Sequence, residues 1–92
     1  MKKLMVDLTN IHTPGGMHVY LAYKLGFPAH YGRNLDALHD MLTEIGEETL
    51  LTIRRPAQLP QQMERFFPRL AIVLHDAQEE NPNLKAFVEI VE

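Results

Sequence analysis

Apolar and polar positions recur along this chain with two different periods, and the switches between them mark out its elements. Lys3 to Leu8 is short and rich in branched apolar residues, which predicts a strand. Thr13 then suits an N-cap with Pro14 at the first helical position, where a missing N–H costs nothing. Met17, Tyr20, Leu21 and Leu25 follow at helical spacing. Gly15 and Gly16 weaken that first turn and argue for a later start, while Gly26 and Pro28 close the helix. Phe27 to Gly32 forms a connecting loop. Asn34 suits the N-cap of a second helix, in which Leu35, Leu38, Leu42 and Ile45 fall on one side, and Gly46 ends it. Thr49 to Arg54 predicts a second strand. Pro56 and Pro60 punctuate the next stretch, and a short helix holds Met63, Phe66 and Phe67. Arg69 to Glu80 admits two readings. Leu70 to Leu74 resembles a buried strand, but Leu70, Val73, Leu74 and Ala77 fit a helix continuing into Gln78-Glu79-Glu80, and the length favours the helix. Asn81-Pro82-Asn83 is a turn, and Leu84 to Val91 a last strand.

The order β-α-α-β-α-α-β implies a small parallel sheet with helical crossovers, because parallel neighbours need a long connection between them. The expectation is one α/β domain over residues 1–92, with no internal repeat or linker.

Composition narrows the function. A 46% hydrophobic content is ordinary for a globular chain. There is no cysteine, so disulfides, a thiol nucleophile and zinc–thiolate sites are excluded. No apolar run approaches the roughly 18 residues of a membrane span. The apolar stretch near the start stops at Asp7, too soon for a signal peptide, which predicts a cytoplasmic protein. A net charge of −3 with scattered Lys and Arg argues against nucleic-acid binding and for a basic protein partner.

The candidate chemistry sits in Tyr31-Gly32-Arg33-Asn34-Leu35-Asp36-Ala37-Leu38-His39-Asp40-Met41-Leu42. Asp36 and Asp40 lie one turn apart on the polar side of the predicted helix, where like charges repel weakly and add nothing to stability. Three readings are open: a solvated face, a general acid/base pair, or an anionic probe entering a cationic cleft. Paired catalysis would need a concave pocket that an exposed helix does not supply. Among the five histidines, none makes an HxxxH or HExxH pair, so no metal site is expected, and no glycine motif suggests a nucleotide cofactor. His39 lies between the two aspartates, and His30 and Tyr31 just before the helix offer exposed rings as stacking area.

That block, Tyr-Gly-x-Asn-Leu-Asp-Ala-Leu-x-Asp-x-Leu, resembles the strongest local pattern of the barstar family, intracellular inhibitors of barnase-type ribonucleases, and keeps every fixed position of it. Size, strand-first start, element order and acidic last helix agree along nearly the whole chain. The resemblance implies a three-stranded parallel sheet with about four helices and a non-catalytic role, as an immunity protein whose second helix plugs a ribonuclease active site. Residue by residue, it implies Asp40 as the central anion and Asp36 as its neighbour. Tyr31 becomes a loop aromatic against the enzyme, Asn34 and Leu35 contacts at the helix start, and Gly32 the turn. Asp76 would replace a family glutamate at the enzyme's basic rim, a role open also to Glu79 or Glu80. The chain departs from the family at His30, where a tyrosine is usual, and at His39, where a tryptophan is. The expected partner is an extracellular-type ribonuclease, with a barstar-like interaction domain for another basic protein as the alternative, and a protein that is monomeric when free.

Overall fold

The computed structural model describes all 92 residues. Its elements are β1 (Lys2–Asp7), α1 (Pro14–Leu25), α2 (Leu35–Thr43), β2 (Thr49–Pro56), α3 (Gln61–Glu64), α4 (Phe66–Glu80) and β3 (Leu84–Val91). The strands form one parallel sheet in the order β1-β2-β3, so the expected α/β architecture stands. Three helices run two turns or more, and α3 is a single turn. No helix is long and apolar enough to cross a membrane.

Local chemistry accounts for most boundaries. α1 starts at Pro14 despite the two glycines, because Thr13 Oγ1 accepts the Gly16 N–H at 3.0 Å and Pro14 already holds helical φ. Gly26 ends it at φ 69°, its N–H donating to Ala22 O. α2 stops at Thr43, short of Ile45, with Glu44 N–H donating to Met41 O in a tightened last turn. The stretch after Pro60 departs from expectation. Phe66 and Phe67 belong to α4, not to the short helix, and the break falls at Arg65. Pro68 is accommodated in the first turn of α4, where its absent N–H leaves no bond unmade. The strand alternative for Leu70–Leu74 is excluded, since Leu70, Leu74 and Ala77 are buried while Ile72 is exposed, a helical period.

The right-handed rule for parallel crossovers, applied to strands in sequential order, implies both crossovers on the same side of the sheet. Burial agrees: Val6, Leu8, Leu51, Ile53 and Leu84 join Met17, Leu21, Leu38, Leu42, Leu70 and Leu74 in one core of sixteen residues. The alternate residues point away from every helix, leaving Met5 45% and Phe87 58% exposed. Parallel sheets are ordinarily covered on both faces. This one is covered on one, and there the far end of β3 stays open, with Val88 41% and Ile90 56% exposed.

Candidate partner-binding surface

The 27–34 loop is built from the inside. Tyr31 N–H donates to Pro28 O, making a turn that drives the Tyr31 ring inward until it is only 7% exposed. There its hydroxyl is hydrogen-bonded to Nδ1 of His18 at 2.7 Å, and its ring meets that of Phe27 with centroids 4.9 Å apart. His18 itself lies edge-on to Phe66 at 5.8 Å. Burial pushes the Tyr31 hydroxyl up to about 12 and holds the His18 imidazole below its ordinary value, so both are neutral. The expectation that the Tyr31 ring is exposed for stacking is therefore corrected, because its apolar area is spent on the loop's own core. His30 beside it is exposed, as expected.

Gly32 sits where a Cβ would approach Ala37 Cβ and Asn34 Nδ2, each at 3.3 Å, so a larger residue there would press on the start of the helix and its cap. Arg33 follows at φ 52°, a left-handed conformation rare outside glycine, asparagine and aspartate. Asn34 then caps α2: its Oδ1 accepts the Ala37 N–H at 2.7 Å, and its Nδ2 donates to Gly32 O at 3.2 Å.

From that cap, Leu38 and Leu42 point into the core and Leu35 is half-buried, while Asp36 and Asp40 face solvent. Asp36 lies in the first turn, where the helix dipole favours a negative charge, which offsets the weak repulsion between the two carboxylates. The Asp40 side chain is 75% exposed, with His39 Nδ1 at 3.7 Å from its Oδ1. The other ring nitrogen of His39 bonds the Glu80 carboxylate across from α4. That bond, with smaller help from Asp40, raises the His39 pKa above its ordinary value and favours the imidazolium.

α2 and α4 run side by side in the same sense. At their starts, Asn34, Leu35, Asp36, Phe66 and Arg69 line a depression of about 270 Å3 with His18 on its floor. At their ends, Asn81 Nδ2 donates to Leu42 O at 2.9 Å and to Ile45 O at 3.0 Å, reinforcing carbonyls whose other partners are longer, Ile45 N–H at 3.5 Å from Leu42 O and Asn83 Nδ2 at 3.4 Å from Ile45 O. Arg69 and Glu80 both border α2, and Asp76 falls on the same stripe of α4 between them. Asp76 is exposed, as is Glu79, which lies near His75 at 3.7 Å. The fold thus sets Asp36 beside Arg69 at one end of this helix pair and joins His39, Asp40 and Glu80 further along it.

Sequence reasoning missed His18 and Asn81, and it did not foresee that Glu80 would hold His39. None carries a local signal: His18 reads as an ordinary helical residue, and Asn81 as turn punctuation. No cluster of three or more His, Asp or Glu side chains converges as a set of metal ligands.

The family model described as "Barstar (barnase inhibitor)" matches residues 1–90. The chain belongs to the barstar family. It is also 46% identical over 43 residues to a protein of Bacillus subtilis (strain 168) named "Putative ribonuclease inhibitor YrdF". That match covers 47% of this chain and 47% of the relative, about half the length of each.

Proposed function

We propose that the chain is a non-catalytic protein inhibitor of a barnase-type ribonuclease, working in the cytoplasm as an immunity protein and plugging the enzyme's active site with α2. The observation that carries this is the exposure of Asp36 and Asp40 on a helix immobilised at both ends, by the Asn34 cap and the Asn81 clamp. A site that binds RNA phosphates must be cationic, and carboxylates carried on a helix that is already formed meet it with a smaller ordering cost than those of a flexible segment. Opposite potentials also speed the encounter. Asp40, exposed near the middle of the helix, is the central anion. Asp36 and Asp76 flank it, and Gly32, Asn34 and Leu35 shape the approach. His30 and His39 supply the rim where the family has larger aromatics, and Tyr31 supports the loop from beneath. Because the rim is histidine, the enzyme bound need not be barnase itself, and binding of an unrelated basic protein is the second reading.

The test is titration against barnase-type ribonucleases encoded by the same organism, following RNA hydrolysis. Inhibition is expected, and Asp40→Ala should weaken binding by roughly 30-fold or more, the cost of stranding a desolvated cation on the enzyme. Glu44→Ala, one turn further along α2, should change it little. Absence of binding to every such enzyme sinks the proposal, and equal effects of the two substitutions sink the pose.

A further inference from the structure

The uncovered face of the sheet has a pattern that the helix layer does not use. Its residues lie in rows set by the strand register. Lys3, Leu50 and Lys85 make the first row; Met5, Thr52 and Phe87 the second; Asp7, Arg54 and Glu89 the third. The first row is basic and the second uncharged, with two large exposed apolar side chains. The third carries two carboxylates with Arg54 between them, its Nε at 4.0 Å from Glu89 Oε1. Successive rows are about 6.6 Å apart, so the basic and acidic rows stand equally far from the apolar one.

We infer that this face is a contact between two copies of the chain, stacked sheet to sheet with their strands antiparallel about a two-fold axis through the Met5–Thr52–Phe87 row. An axis lying in the interface across the strands sets each strand over its own counterpart and reverses the row order. Lys3 then faces Asp7 of the second copy, Lys85 faces Glu89, and Phe87 and Met5 meet their equivalents at the centre. The other face-to-face choice, an axis along the strands, sets Lys3 over Lys85 and Asp7 over Glu89, four repulsive pairings. The charge pattern alone selects the antiparallel stack.

Three short strands offer on the order of 400–500 Å2 per copy, below the roughly 800 Å2 per partner of a stable interface. The contact is therefore weak: the chain is monomeric when dilute and pairs when concentrated. It leaves the seam between α2 and α4 free, because that seam lies in the layer on the far side of the sheet. The inference thus stands or falls independently of the ribonuclease proposal.

Sedimentation equilibrium of the whole chain between about 10 μM and about 1 mM tests it, with a dissociation constant expected in the range of about 100 μM. Phe87→Lys should raise that constant at least ~10-fold while the far-ultraviolet circular dichroism is unchanged. Lys85→Glu and Glu89→Lys should each weaken pairing by ~3–10-fold, and the double variant K85E/E89K should restore it to within ~3-fold, since residues 85 and 89 face each other across the axis. A monomer at the highest concentration overturns the inference. So does tighter pairing by Lys85→Glu, or failure of the double variant to recover. An effect of Tyr23→Lys on the outer surface of α1 equal to that of Phe87→Lys would also overturn it.

Discussion

His18 lies beneath the 27–34 loop and His39 lies at the outer edge of the helix after it, and the same side chain does opposite work in the two places. His18 is buried among Tyr31, Phe66 and the floor of a depression, and its proton is driven off by desolvation. His39 stands between Glu80 and Asp40, and its proton is held by their charge. The inner half of the surface is thus shaped by apolar burial and one neutral hydrogen bond, the outer half by charges in water. The inner half should govern stability and the outer half recognition.

The largest expected effect breaks the inner half. Tyr31→Ala removes a buried ring and the partner of His18, and should cost about 3–5 kcal/mol of unfolding free energy in a denaturant titration. Tyr31→Phe keeps the ring, strands the imidazole, and should cost about 1–3 kcal/mol. A loss within experimental error for both would mean that the loop does not depend on this pair.

Asn81→Ala comes next. It removes the shorter donor to the Leu42 and Ile45 carbonyls, leaving them only the longer bonds from Ile45 N–H and Asn83 Nδ2, and should cost about 1–2 kcal/mol. Hydrogen exchange should show the end of α2 opening more often than its capped start. Uniform protection along the helix would contradict the clamp.

The smallest effect in energy is the sharpest for the comparison. In an NMR titration the His18 ring should have its midpoint below the ordinary 6.5 and the His39 ring above it. For His18, with its folded pKa depressed, the linked stability is present above 6.5 and is lost as the pH falls through the folded value. For His39, with its folded pKa raised, it is present below 6.5 and is lost as the pH rises through the folded value. Glu80→Gln should bring the His39 midpoint down toward 6.5 and leave His18 where it was. Movement of both rings would show the two halves to be coupled.

Much of this was legible in the chain itself. The Thr13 and Asn34 caps, the Gly26 stop and the Leu38/Leu42 stripe are decided by bonds within three or four residues, and all appear where the residues imply them. The barstar-family membership was carried by the block from Tyr31 to Leu42, whose exposed aspartates followed from helical periodicity alone. The misplaced break near Phe66 shows the limit of that reasoning. The apolar spacing of Met63, Phe66 and Phe67 fits one short helix as well as two, and Pro68 in the first turn of α4 interrupts nothing.

What only the tertiary structure decided lies between residues far apart in the chain. Tyr31 turned inward because His18, thirteen residues earlier, offered its hydroxyl a buried partner. His39 holds its proton more tightly because Glu80, forty-one residues later, reached it from α4. The open sheet face emerged only when strand order put both crossovers on one side. By itself, the sequence determined the elements and which helix carries the carboxylates, because backbone caps and periodic burial act over one turn. Which rings are hidden, which charges are matched and which surface stays bare depended on the packing of helix against helix and strand against strand, where distance along the chain carries no information.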